Sequence, residues 1–274
     1  MREYRVKPIE SLGRGLQVLG VLQGMRAASL HDLHLATGIP KPTLTRILYT
    51  AHQHGLVWQR MVDGAFLPSH PQRRREPDDD EWLVEIASPV LEELSGRLQW
   101  PSVLSVPRLD HMETLETNSS RTYFDELPRR PRGFRVNLLG SASGRAYLAF
   151  CSDQEFAAVI TRLRQKDVPA HRFAFDDDAL RTLVATTRER GYSVRAPDFG
   201  GDYHRPRAEV DDGRESIAMP VRLDGHVVAA INLTWRRQVL SLTGMVQRHL
   251  EDLQAAVHAV EERARAAGLD SPGA

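Results

Sequence analysis

The stretch from Ser29 to Leu67 constrains this chain more than any other. Apolar Leu30, Leu33 and Ala36 precede Gly38, and Leu44, Ile47, Leu48 and Ala51 follow it at i, i+3, i+4 and i+7. That spacing predicts two short amphipathic helices separated by a glycine turn. Ser29 is a good N-cap with Asp32 three residues on, Pro42 suits the first turn of the second helix, and Gly55 is placed to end it in the left-handed conformation. Two strand-like runs come next, Leu56 to Arg60 and Ala65 to Leu67, around an Asp63-Gly64 hairpin signal. The stretch therefore predicts a helix-turn-helix with a wing. Opposite the apolar stripe, Lys41, Thr43, Thr45, Arg46 and Tyr49 form a polar, basic face that can contact phosphates or base edges, and Arg60 on the wing is expected near the DNA backbone.

A plain αα-hairpin in an unrelated globular protein would share part of this pattern. Charge argues against it. The 274 residues balance 36 Lys and Arg against 36 Asp and Glu, yet residues 1 to 75 hold 11 basic and 4 acidic side chains, leaving 25 against 32 for the remainder. A neutral chain thus carries a basic head on an acidic body, as expected when one end meets a polyanion.

Upstream, Leu12, Leu16, Leu19 and Leu22 recur at helical spacing and predict a first helix that closes the head. Residues 68 to 80 shift to Pro, Ser, His, an arginine triplet at 73–75 and an aspartate triplet at 78–80, which reads as a linker. Glu81 to Leu98 is helical, with Trp82, Ile86, Val90, Leu91, Leu94 and Leu98 on its apolar side; Pro89 predicts either a kink or a fresh start capped by Ser88. Strands are expected at Val103–Val106 and Met112–Thr117, and a long polar loop over 118–133 leads to the apolar segment Phe134–Leu138. The small-residue turn from Gly140 to Gly144 opens an apolar helix, further helices are expected near Asp153 and from Asp177 to Arg190 with Gly191 as the stop, and Asp224-Gly225 marks a hairpin between Ser216–Val221 and His226–Leu233. Met245, Val246, Leu250, Leu253, Val257 and Val260 belong to a last helix.

Four motifs in fixed order carry a resemblance: Arg14-Gly15-Leu16-Gln17-Val18-Leu19, Leu30-His31-Asp32-Leu33, Thr37 through Leu48, and His54-Gly55-Leu56-Val57. They are similar to the DNA-binding domain of IclR-type transcriptional regulators. Leu139 through Phe150 resembles that family's effector-domain signature, and Gly191-Tyr192, Glu209, Gly213 and the last hairpin resemble a second one. Ser216 stands where the family often has cysteine, and Arg222-Leu223 replaces its usual aromatic-acidic pair. The resemblance spans residues 9 to 265. It implies an α+β fold in two domains: a winged helix-turn-helix over 9–67, a linker and linker helix over 68–98, and a GAF-like effector-binding domain over 99–265. It also implies pairing of two heads through the first helix, a homodimer or homotetramer, and double-stranded operator DNA as partner. Gln99-Trp100-Pro101 and Leu148-Ala149-Phe150-Cys151 resemble the branch that regulates aromatic-acid, phenylpropionate-type catabolism.

Enzymatic chemistry finds no footing in the sequence. There is no Gly-x-Ser-x-Gly turn, no Walker phosphate loop and no His-Glu-x-x-His. Cys151 is the single cysteine and sits in an apolar helix, where a thiol packs as a small hydrophobe. His31 and His34 share a helix face without a third ligand nearby, so no metal and no cofactor is expected. A binding pocket is expected instead. The turn at Gly140, Ser141 and Ser143 would offer amide and hydroxyl donors at a helix N-terminus to an anion such as a carboxylate, although an ordinary capped helix accounts for the serines as well. Val103, Ser105, Phe134, Leu138, Ser216, Ala218 and Asn232 are the candidate walls, and the alternation of the strands leaves open which faces point inward. No run approaches the roughly 20 apolar residues that span a bilayer, so the expectation is a cytoplasmic regulator with no membrane partner. Its effector would be a small organic acid. A metabolite-binding protein or enzyme with a GAF-like domain is the alternative.

Overall fold

A computed structural model describes residues 9–25, 27–69, 80–118, 132–166 and 168–268. The chain divides into two compact units, residues 1–85 and 86–274, so the division falls inside the helix that the sequence assigns to the linker.

The first unit is built as its apolar spacing requires. Helix α1 (Glu10–Met25), α2 (Leu30–Thr37) and α3 (Lys41–Gln53) precede an antiparallel pair, β1 (Val57–Gln59) and β2 (Phe66–Pro68). Val18, Leu22, Leu33, Ile39, Leu44, Leu48 and Val57 make one buried core. A reciprocal capping box fixes the start of α2: Ser29 Oγ accepts the Asp32 N–H and the Asp32 carboxylate accepts the Ser29 N–H at 2.9 Å. Gly38 takes φ +69° at the turn, and Gly55 takes φ +66° just beyond α3. Ala28 exchanges two backbone hydrogen bonds with Phe66, adding a third short partner to the wing.

Two apolar assignments in this unit do not hold. Leu12 and Leu16 are 57% and 59% exposed, and the core side of α1 is carried by Val18 and Leu22, with Leu19 partly buried. Ala36 is also exposed. The heptad-like leucine spacing of α1 thus describes two faces, one turned to the core and one to solvent.

Helix α4 (Glu81–Arg97), which spans the division, runs through Pro89 without a break. Ser88 does not cap a new helix; its hydroxyl donates to the buried Glu116 carboxylate at 2.8 Å. Six antiparallel strands follow in the order β5-β4-β3-β8-β7-β6: β3 (Ser102–Pro107), β4 (His111–Thr117), β5 (Arg135–Asn137), β6 (Ser193–Val194), β7 (Arg214–Leu223) and β8 (His226–Arg236). The β7–β8 turn places Asp224 at φ 49° and Gly225 at φ 83°, so this two-residue hairpin suits Asp-Gly and is indifferent to the Arg222-Leu223 departure. The long arginine-rich linker, residues 70–79, and most of the predicted loop, residues 119–131, lie outside the described residues.

Helices cover both sheet faces. On one lie α4 and α8 (Leu242–Ala266), linked by Arg97 and Asp252 at 3.6 Å and, for α4, by the Asn118 amide donating to the Leu91 carbonyl. On the other lie α5 (Ala142–Phe150), α6 (Asp153–Arg164) and α7 (Asp177–Arg190), together with a 3-10 helix over Pro169–Phe175 that the sequence reading did not foresee. Ala142, Ala146 and Tyr147 of α5 pack on Ala218 and Ala230 of the sheet. This is an α+β architecture on one antiparallel sheet.

Candidate functional site

In the first unit, α3 turns its polar, basic side to solvent. Lys41, Thr45, Arg46 and Tyr49 are exposed, Thr43 is half-buried at the flank, and Leu44, Leu48 and Ala51 hold the opposite side in the core. Thr45 donates back to the Lys41 carbonyl at 3.0 Å, and Gln53 donates to the Tyr49 hydroxyl at 2.9 Å, so two of these side chains are preset along the helix. His34 Nδ1 lies 2.8 Å from the Ile39 carbonyl, and this histidine pins the turn. Among the described residues no group of three His, Cys, Asp or Glu could hold a metal ion.

Arg60 is the exception. Its side chain is buried, with Nε donating to Asp63 Oδ1 at 3.0 Å, Nη2 2.5 Å from Asp63 Oδ2 and Nη1 donating to Glu81 Oε1 at 3.0 Å. The guanidinium closes the base of the wing instead of facing a phosphate. From sequence alone a wing arginine reads as a DNA contact; the partner that claims it lies 21 residues downstream.

The sheet register sorts the effector candidates. Opposed residues of antiparallel strands share a face, and Val103 opposes Asn232, which opposes Ala218; Ser105 opposes Ala230; and Ser216 opposes Thr234. Since Ala218 and Ala230 meet α5, Val103, Ser105, Ser216 and Asn232 all project to the α5 side, and Phe134 and Leu138 join the same core. Asn232 Nδ2 donates to Thr234 Oγ1 at 2.9 Å while its Oδ1 is buried without a partner among the described residues. Thr114, opposite Ser105, likewise has a buried hydroxyl without a partner there. Neither Thr114 nor Thr234 stands out in the sequence, because threonine is enriched in strands whatever they do.

At the head of α5 the donors are largely committed. Ser141 Oγ donates to the Asn137 carbonyl at 2.6 Å and accepts the Gly144 N–H at 3.0 Å, while the Leu139 and Gly140 N–H groups both go to Asn137 Oδ1. The expectation that Ser141 and Gly140 offer free donors is therefore corrected: they form the helix cap. Ser143 remains, buried, with its hydroxyl 3.5 Å from that of Ser141, beside the first-turn amides of Ala142 and Ser143. Gly144 must be glycine, since a Cβ there would meet the Leu138 carbonyl at 2.3 Å. Cys151 is buried and its thiol is pushed up to about 12 by burial, with Glu155 adding to the effect.

A cleft of about 540 Å³ opens on the far side of the same turn. Of the predicted residues only Gly140 lines it; Arg145, Arg172, Phe173, Phe199 and Tyr203 complete its walls. Sequence carries no signal for this group, which comes from three separated segments.

A winged helix-turn-helix joined to an α+β sensor domain defines a ligand-responsive DNA-binding regulator. Residues 11–60 match the IclR helix-turn-helix domain and residues 80–262 match the bacterial transcriptional regulator IclR C-terminal domain. The chain belongs to the IclR family of bacterial transcriptional regulators and is not an enzyme. Solved structures agree on the fold. An IclR homologue from Microbacterium sp. strain HM58-2 is 21% identical, with 93% of this chain and 98% of that one covered at a TM-score of 0.54. An IclR homologue from Microbacterium hydrocarbonoxydans complexed with 4-hydroxybenzoate is 21% identical over 93% and 99% of the chains, TM-score 0.52. An IclR family regulator from Brucella abortus is 20% identical over 94% and 93%, TM-score 0.51. No helix among the described residues is long and apolar enough to cross a membrane.

Proposed function

We propose that this regulator acts in the cytoplasm as a homodimer or homotetramer, reads a pseudo-palindromic operator with Lys41, Thr43, Thr45, Arg46 and Tyr49 of α3, and senses a small aromatic carboxylate. The exposed basic face of α3 on a winged-helix core carries the DNA half of this reading. Ile9, Leu12 and Leu16, an exposed apolar stripe leading into and along α1, support pairing of two heads, which sets two half-sites about 34–36 Å apart or a multiple of it.

The effector seat we propose lies between the α5 N-terminus and the sheet face that bears Ser143, Ser216 and Asn232, with Val103, Ser105, Phe134 and Leu138 around it. The unpartnered Asn232 Oδ1 supports it, since a buried acceptor without a donor is costly and a hydroxyl on a ligand ring would supply one. The helix dipole of α5 favours the carboxylate end. The 4-hydroxybenzoate held by the Microbacterium hydrocarbonoxydans homologue has both groups. Binding of aromatic compounds would place this chain over genes of aromatic catabolism.

Two measurements test the reading. In a salt titration of operator affinity, Lys41→Ala/Arg46→Ala should weaken binding and reduce the salt slope by roughly one unit per lost phosphate contact, or cost about 1–3 kcal/mol where Arg46 reads a base. An unchanged operator affinity would reject α3 as the reader. In calorimetry, the ester of a true effector should bind about 1.5–3 kcal/mol more weakly than the acid, the worth of hydrogen bonds to a charged group.

A further inference from the structure

The geometry points to a second small-molecule site in this regulator: the cleft on the outer side of the Gly140 turn, with Arg145 and Arg172 holding a carboxylate and aromatic walls holding a flat ring. None of the residues named for the seat proposed above lines it, and it does not require that seat.

Size and construction come first. At about 540 Å³ the cleft falls within the range of small-molecule pockets. Its floor is fixed by Asn137, whose Oδ1 accepts the Leu139 and Gly140 N–H groups while its Nδ2 donates, at 3.4 Å each, to the carbonyls of Ala170 and Tyr203. One side chain thus ties the turn, the 3-10 helix and the 196–206 loop together. That loop is itself clamped from behind by the buried Arg195, which donates to the Phe199 carbonyl at 2.9 Å and pairs with Asp212 at 2.9 Å. Its Gly200 packs so closely on the segment that follows the loop that a Cβ there would meet the Val210 carbonyl at 1.6 Å. The walls are therefore preformed, which limits the ordering cost of binding.

Charge selects the ligand class. Arg205 and Asp202 of the lining pair with each other at 3.1 Å, which leaves two arginines, Arg145 and Arg172, and one carboxylate, Asp198, among the other lining residues. Neither Arg145 nor Arg172 has an ion-pair partner among the described residues. The Arg145 guanidinium lies 5.9 Å above the Phe173 ring, spends one Nη1–H on the Val194 carbonyl at 3.1 Å and keeps an Nε–H with no acceptor among the described residues. Burial disfavours its charged form and Asp198 only partly offsets this, so an incoming anion would act in the same direction as Asp198. Guanidinium groups suit planar carboxylates, and Phe173, Phe199 and Tyr203 offer the ring faces and edges that a flat body needs. The Phe199 ring sits so near the turn that a Cβ on Gly140 would meet it at 2.7 Å. An occupant of the cleft thus presses, through Phe199 and Asn137, on the same turn that caps α5, and the two sites share a wall.

Calorimetry on the full chain with benzoate, 4-hydroxybenzoate and benzamide tests this. Asn232→Leu closes the sheet-face seat, with Ser216→Val as a second closure should the first fail to give a native near-ultraviolet spectrum. In either background we expect benzoate or 4-hydroxybenzoate still to bind, at least tenfold more tightly than benzamide. Arg172→Glu, an exposed position that keeps the fold, should weaken that binding at least tenfold, and Arg145→Gln should do the same. If wild-type binding is lost in Arg172→Glu and kept in Asn232→Leu, the cleft stands and the sheet-face seat falls. The cleft is refuted if neither acid binds the closed variants at roughly millimolar concentration, or if their binding ignores both arginine substitutions.

Discussion

Replacing Arg60 separates a structural arginine from a DNA contact. Its side chain is 9% exposed and makes a two-point contact with Asp63 and a third bond to Glu81, whose side chain is 17% exposed, against 45% for Asp63. Breaking a fully buried pair costs about 3–5 kcal/mol, but the half-exposed Asp63 recovers part of that in water, so Arg60→Ala should cost about 2–3 kcal/mol. Loss of the aliphatic stem from the base of the wing adds to the same side. For a domain of this size each kcal/mol moves the midpoint by roughly 4–8 °C, so the head's transition should fall by roughly 10–20 °C. The assay is thermal unfolding of the full chain by circular dichroism, beside operator affinity against salt measured well below the transition. The slope of that plot should hold, because Arg60 neutralises two carboxylates and no phosphate. An Arg60→Ala protein that melts with the wild type and loses about one unit of salt slope would refute the buried-pair account and restore the phosphate contact.

Two further outcomes follow from the second unit. Asp110 accepts from Lys166 and from His111 at 2.8 Å, with Arg135 at 3.3 Å; burial alone would raise its carboxyl, but the hydrogen bonds from Lys166 and His111 and the charges of Lys166 and Arg135 hold it well below the ordinary 3.8. A depressed folded-state value means that its contribution is present above the unfolded value and is lost as pH falls below about 4–5, so Asp110→Asn should lower stability at neutral pH and flatten the acid limb of a stability–pH curve; an unchanged acid limb would contradict it. Cys151, with its thiol raised to about 12 and buried, should ignore 5,5′-dithiobis(2-nitrobenzoate) in the native protein and react once urea unfolds it, and rapid native labelling would show that α5 opens.

Local rules carried the sequence reading as far as local forces decide. The capping box at Ser29 and Asp32, the left-handed Gly38 and Gly191, the hairpin at Asp224-Gly225 and the apolar stripes of α3 and α4 each depend on residues within a turn or two of one another. So did the exposed polar, basic face of α3, since a helix with one buried stripe has only one other side to present. Tertiary structure decided what depends on distant partners. Glu81 claimed Arg60, and Glu116 claimed Ser88 from its expected cap. Asn137 took the turn amides that an anion would otherwise meet, and the sheet register determined that Val103, Ser105, Ser216 and Asn232 look toward α5. The cleft around Arg145 lay beyond the reach of any window of sequence, because α5, the 3-10 helix and the 196–206 loop meet only when the chain folds, and a cavity is defined by surfaces whose separation no local propensity encodes.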